Sequence, residues 1–370
     1  MNPNYPLRDP SKVYSPALLF YKDLIQSNIA RAIAIAGGPD RLRPHIKTHK
    51  TREIVRMQLA AGITKHKCAT IAEAELLASC GVADVMIAYP IVGPNCGRVA
   101  RLAAKFPGTR FGITIDHSRP LAELGATLSA GQQVDAYLDI NCGQNRTGIA
   151  PGEAALDLYR QIGRSQKLKP AGFHVYDGHN SHESTTERAK SVQSMLGPII
   201  TMRQELEKEG LSVPRLIMGG TPTFTIHAKC DLPGVECSPG TLALHDYNYI
   251  QRYPDLGITP AALLLTRVIG RPTADRVTLD LGYKAVSPDS PAGKRLLLLD
   301  FPENEAVLQN EEHLVVRTAG AGSYSPGDVV YAMPAHICPT VALHRQALIV
   351  QDGRVVERWD IAARDRELSV

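Results

Sequence analysis

Two short stretches hold more reactive side chains than a purely structural segment needs. RPHIKTHK, residues 43–50, sets Arg43, His45, Lys47, His49 and Lys50 around a single apolar residue, Ile46. HICPT, residues 336–340, places His336 two positions before Cys338. A lysine among other cations has its pKa lowered, so its amine can attack a carbonyl near neutral pH. An imidazole and a thiol at i, i+2 on an extended segment face the same way and can reach one ion, and that ligand pair suits Zn²⁺. Two protein ligands leave coordination positions for water and substrate.

Two glycine-containing runs supply a complementary chemistry. GGTPT (219–223) and SPGT (238–241) offer small residues, hydroxyls and backbone N–H groups. Such loops can form a nest for phosphate without a side-chain charge. A lysine at one rim and a phosphate cradle at the other suit a cofactor with both a carbonyl and a phosphate, which is pyridoxal 5'-phosphate. Taken alone, a lysine-rich loop is more often a solvated face, and a His-x-Cys pair is more often coincidence. Position in the fold decides between these readings.

The order of segments gives that position. Short apolar runs at 43–49, 65–70, 84–89, 110–116, 134–141, 170–177, 215–220 and 235–241 alternate with amphipathic stretches such as TREIVRMQLAAG (51–62). The helical period of 187–210 breaks at Gly197-Pro198, and 221–234 has no helical pattern. This alternation predicts an α/β fold, a (β/α)8 TIM barrel over 25–250. Beyond residue 255 the runs are β-rich and broken by Gly, Pro and Asp, with QALIV-QDG-RVVERW reading as a hairpin. Residues 251–370 with 1–24 are therefore expected to form a second, C-terminal antiparallel β domain that carries the metal motif.

Barrel enzymes place their functional groups at the C-terminal ends of strands. That puts Lys47 and His49 after the first strand and His66 and Lys67 on the second. Asn141 to Arg146 follow the fifth, Tyr176 and His179 the sixth. Gly219, Gly220 and Thr221 follow the seventh, with Gly240 and Thr241 after the eighth. Lys50 reads as a surface charge, and His66 and Lys67 divide between site lining and structural polar groups.

Composition excludes several classes. The net charge of +4 suits a small anionic ligand and predicts no nucleic-acid partner. No apolar run reaches the ~18 residues of a membrane span, and no secretory leader is evident. Seven cysteines without a framework spacing indicate a reducing compartment, so a cytoplasmic location is expected.

With DINCGQNRTG (139–148), YDGH (176–179), GGTPTF (219–224), ECSPGT (236–241) and DLGYK (280–284), the two opening motifs resemble the D-threonine aldolase and D-serine dehydratase family. Its members are alanine-racemase-type, fold-type III pyridoxal-phosphate enzymes. The resemblance implies that Lys47 carries the cofactor as a Schiff base, that Arg146 lies near the ring oxygen and that Tyr176 lies at the ring's edge. It also implies that Gly219, Gly220, Thr221, Gly240 and Thr241 hold the phosphate. His336 and Cys338 would bind a divalent metal, Zn²⁺ or else Mn²⁺ or Mg²⁺, against the substrate's β-hydroxyl. Asp280, Lys284 and His313 match family positions but are equally explained by salt bridges.

The implied activity is a metal-assisted lyase on D-3-hydroxy amino acids. The D-threonine aldolase type gives glycine and an aldehyde. The alternative is a D-serine dehydratase type, an ammonia-lyase giving a 2-oxo acid and ammonia. Within the family His-x-Asp goes with aldolases and His-x-Cys with dehydratases, so the metal pair favours elimination while the rest of the sequence is closer to aldolases. An amino-acid racemase is the third possibility, and a non-catalytic pyridoxal-phosphate carrier is disfavoured by the β domain. A homodimer is expected by resemblance.

Overall fold

The computed structural model describes residues 4–299, 301 and 303–370. In chain order the strands are β1 (Ala17–Tyr21), β2 (Lys65–Cys68), β3 (Asp84–Pro90), β4 (Arg110–Ile115), β5 (Val134–Asp139), β6 (Leu168–Val175), β7 (Leu216–Met218) and β8 (Val235–Cys237). They continue as β9 (Ala262–Thr273), β10 (Arg276–Leu279), β11 (Leu296–Leu299), β12 (Asn304–Gln309), β13 (Leu314–Thr318), β14 (Val329–Pro334), β15 (Gln346–Gln351) and β16 (Arg354–Asp360). The chain divides into two compact units: 32–47, 55–240 and 365–370 form one, and 1–31, 48–54 and 241–364 the other.

The first unit is an α/β barrel. Strands β2 to β8 pair in parallel in sequence order, and helices lie between most of them. The expected first strand, 43–49, is not a strand. Residues 42–45 instead bridge the two ends of the sheet, Leu42 pairing with Cys237 and His45 with Lys67. Three backbone bonds make this seam: Arg43 N–H to Cys237 O (2.9 Å), His45 N–H to Pro239 O (2.9 Å) and Lys67 N–H to Pro44 O (2.9 Å). Pro44 has no N–H for a ladder, and the chain then tightens into a 3₁₀ turn at Ile46–Thr48.

Two other expectations change. The long helix runs unbroken over Thr185–Lys208 with Pro198 inside it, where exposure lets water take up the carbonyl that proline leaves unpaired. The connection after β7 contains a short helix, Phe224–His227.

The barrel interior opposite the seam motif is a charge network. Arg43, 0% exposed, donates from Nε to Glu236 Oε2 (2.6 Å) and from Nη1 to Asp84 Oδ1 (2.6 Å). The two carboxylates offset the cost of burying this guanidinium, whose Nη2 has no hydrogen-bond partner among the described residues. So one of the five basic residues of 43–50 closes the barrel. Met86, Tyr137, Ala171 and Ile217 pack together as apolar filling.

The second unit is a nine-stranded sheet, ordered β12-β13-β10-β9-β1-β15-β16, with β14 pairing β9 and β11. It is mixed, not wholly antiparallel. Leu19 of β1 lies opposite Leu263 of β9 in antiparallel register and opposite Leu348 of β15 in parallel register. The β15–β16 hairpin forms where expected. Asp280 accepts from the Thr266 hydroxyl (2.6 Å) and Arg267 N–H (2.8 Å), and Lys284 pairs with Glu311 (2.5 Å), which gives both structural roles. All seven cysteines are free thiols. Among the described residues no helix is long and apolar enough to cross a membrane.

Candidate active site

In the barrel unit one cavity of about 330 Å³ gathers residues from several strand ends. Its polar lining includes His45, Lys47, Lys67, Arg146, His174 and Tyr176. Tyr176 follows β6 and forms the centre. The Lys47 Nζ lies 5.8 Å from its ring centroid, the Lys67 Nζ 5.7 Å and the Arg146 guanidinium carbon 5.2 Å. Charging all three basic groups around one ring is unfavourable, and the ring's π electrons relieve only part of that repulsion.

Local structure fixes each group. The 3₁₀ turn presents Lys47, whose N–H donates to His45 Nδ1 (3.2 Å). Arg146 sits on a loop pinned at its base, where Asn141 N–H donates to Ile149 O (2.9 Å) and Ile149 N–H to Asp139 O (2.9 Å). Inside that loop Asn141 Oδ1 accepts the N–H groups of Gly143 (3.1 Å) and Asn145 (3.0 Å). The residue after Tyr176 is a buried anchor: Asp177 accepts the Thr223 hydroxyl (2.8 Å) and His227 Nε2–H (2.9 Å).

The expected phosphate loops are distinct from one another. Gly219 has φ +78°, and a Cβ there would meet His227 Cδ2 at 2.5 Å, so the turn needs glycine. Its N–H is committed to Val175 O (2.9 Å), so it is not a free anion donor. Gly220 N–H donates to Thr223 Oγ1 (3.3 Å) and Gly240 N–H to Thr221 Oγ1 (3.1 Å), which brings the two runs side by side. Thr241 falls in the other unit, buried, its carbonyl accepting from His245 N–H (2.7 Å).

Three further groups matter here: Lys67, divided between site lining and a structural polar group on sequence alone, and Asp139 and His174, which the sequence leaves unassigned. Lys67 is 2% exposed, and burial together with the charge of Lys47 pulls its amine down to about 7. Its neighbour His66 turns the other way, to Gln58 Oε1 (3.1 Å). Asp139 and His174 are register partners at the ends of β5 and β6, with Nδ1 to Oδ1 at 2.7 Å. Burial lowers the His174 pKa despite Asp139, so the ring is neutral and Nδ1 carries the proton. His174 Nε2 is buried and has no hydrogen-bond partner among the described residues. A charged residue ending an apolar strand was the available signal for all three.

The β unit holds the other motif. His336 is the N-cap of helix Ile337–Leu343 rather than part of an extended segment. Pro339 sits in the first turn, where no intrahelical N–H is required. Helix onset still lets the two side chains meet. Burial opposes the charge on His336, but Cys338 and Asp289 outweigh it and hold the imidazole up at about 9. Asp289 contacts His336 Nδ1, and the Cys338 Sγ lies 3.1 Å from Thr48 Oγ1. Beside them Asp246, 1% exposed, accepts Ile337 N–H (3.1 Å), and burial raises its carboxyl to about 6. Among the described residues no group of three His, Cys, Asp or Glu side chains is arranged to hold a metal.

Comparison with known proteins agrees with this architecture. Residues 22–244 match the description "Alanine racemase, N-terminal domain", and residues 261–350 match "Putative serine dehydratase domain". The chain belongs to the alanine racemase N-terminal domain family. A D-threonine aldolase from Arthrobacter sp. is 29% identical over 96% of this chain and 93% of its own length. A D-threo-3-hydroxyaspartate dehydratase from Delftia sp. is 25% identical over 94% and 96%. The crystal structure of D-threonine aldolase from Filomicrobium marinum superposes with a TM-score of 0.88 at 26% identity, covering 96% of each chain. Within this family the barrel cavity fits pyridoxal phosphate. Its lining offers the Lys47 amine, the Arg146 guanidinium, the Tyr176 ring and, from His174, a buried imidazole nitrogen with no hydrogen-bond partner among the described residues.

Proposed function

We infer that this chain is a pyridoxal-phosphate-dependent lyase acting on D-3-hydroxy amino acids with a divalent metal. The primary reading is retro-aldol cleavage of the D-threonine aldolase type, to glycine and an aldehyde. The observation that carries it is the placement of the Lys47 amine over Tyr176, with Arg146 on the same ring, in one cavity.

Lys47 would hold the cofactor, flanked by Arg146 and Tyr176. Gly219, Gly220, Thr221, Gly240 and Thr241 would form its phosphate loops. Bound pyridoxal phosphate supplies an aldehyde and an electron-withdrawing ring that stabilises negative charge at the substrate's α-carbon. His174 lines the cavity, and Asp139 keeps its proton on Nδ1, which leaves the lone pair on Nε2. The basic lining attracts the substrate carboxylate.

His336 and Cys338 would hold the metal, with Asp289 orienting the imidazole through Nδ1. A divalent ion supplies Lewis acidity at the β-hydroxyl oxygen. Thiolate softness supports Zn²⁺ over Mn²⁺ or Mg²⁺. Cys338 is also the specific reason to retain a second reading, the D-serine dehydratase type. A racemase would not need the metal pair. We also infer a homodimer, which sedimentation of the purified protein tests.

Product analysis after incubation with D-threonine and D-serine tests the reading. Glycine plus acetaldehyde from D-threonine supports the aldolase. Ammonia with 2-oxobutanoate or pyruvate supports the dehydratase instead, and turnover of neither overturns both.

A further inference from the structure

Lys67 belongs to neither motif, yet its amine lies in the same cavity as Lys47 and at the same distance from the Tyr176 ring. A fully buried lysine is costly unless it has a use or a partner. The groups around it make it responsive to ligand charge. From the seam come Lys47, Arg43 and His45, and from the loops Arg146 and Tyr176. The carboxylates acting on it are Asp139 and Asp177. Both are already engaged, Asp139 by His174 and Thr147 (3.0 Å) and Asp177 by Thr223 and His227. All the ionised groups that line the cavity are basic.

We propose that Lys67 is a second anion-binding amine of this pocket, engaging a negatively charged oxygen of the ligand that Lys47 captures, and that the ligand enters together with a proton. The inference rests on the cofactor reading above. The cavity lining sets Lys67 among basic side chains with no lining carboxylate, and with burial this disfavours its ammonium form. This agrees with its depressed pKa. An anionic ligand reverses the local field and favours the ammonium. The proton comes from solvent and adds to Nζ, and no bond of the ligand changes. By linkage, binding must then take up a proton wherever the free amine is neutral and the bound one is charged.

The test uses pyridoxine 5'-phosphate, which keeps the ring oxygen and phosphate but has no aldehyde, so Lys47 chemistry is silent. Calorimetric titration of the full chain at pH 8, in two buffers of different ionisation enthalpy, reads the proton count directly. The native protein should take up protons. Lys67→Met should bind several-fold more weakly, with that uptake lost. Lys67→Arg, charged beforehand, should bind without uptake and keeps the test open should the methionine variant misfold. Uptake that is absent in the native protein, or unchanged in both variants, overturns the assignment of Lys67 alone. Failure of the native protein to bind the analogue overturns the cofactor reading beneath it.

Discussion

His174 Nδ1 lies 2.7 Å from Asp139 Oδ1, between neighbouring parallel strands and in direct register. The pair decides which imidazole nitrogen carries the lone pair. Asp139→Asn keeps the shape but allows the amide to donate, which turns the ring's proton toward Nε2. Affinity for pyridoxal phosphate, followed by absorbance titration, should fall by up to about 10-fold, in keeping with the ~0.5–1.5 kcal/mol of one hydrogen bond. An unchanged affinity would remove the tautomer argument.

Lys47→Ala removes the amine over Tyr176 while Lys67 stays in place. The near-ultraviolet and visible band of the cofactor linked to protein should vanish, and turnover should drop by about 10³-fold or more. Survival of the band would mean that the wrong lysine had been assigned.

Metal binding by the β unit should depend on pH. His336 is held up at about 9 by Cys338 and Asp289 against burial, so at pH 7 it must lose a proton before it can ligate. Zn²⁺ affinity, measured by competition with a chromophoric chelator, should therefore tighten as pH rises toward 9. His336→Ala should abolish binding, and chelator treatment of the native enzyme should remove activity. A racemase-like resistance to chelation would contradict the lyase reading.

Stability gives an independent handle on Lys67. Its folded pKa is about 7 and its unfolded value about 10.4. Between those values the unfolded chain binds more protons, so stability should rise with pH and level off above the unfolded value. Urea unfolding of Lys67→Met should show less of that rise. Equal slopes in the two proteins would mean that the amine is charged when buried.

Arg43→Ala should cost about 3–5 kcal/mol in the same measurement, because Asp84 and Glu236 lose their shared buried partner. A loss below ~1 kcal/mol would place the barrel's closure elsewhere.

Much of this was legible in the residues. Strands β2 to β8 each overlap an expected apolar run because strand burial leaves a continuous signature, and Lys47, Arg146 and Tyr176 do meet in one cavity. The strand expected at 43–49 is a short seam and a 3₁₀ turn, because Pro44 lacks a ladder N–H and Ile46 is the stretch's single apolar residue. His336 and Cys338 meet through helix onset, a geometry that i, i+2 spacing alone does not specify. Lys67 and the Asp139–His174 pair were hidden because their use depends on which strand lies beside which. A one-dimensional pattern does not carry that adjacency.

The barrel's seam has a further consequence. Only three backbone bonds fasten residues 42–45 to the neighbouring strands, and the chain leaves them directly for the turn that bears Lys47. The Lys47 amine thus rides on a sparsely laced stave of the cask. Hydrogen–deuterium exchange should find the amides of Arg43 and His45 opening sooner than those in the middle of β5, and relatives could re-aim that lysine without unpicking the remaining seven strands.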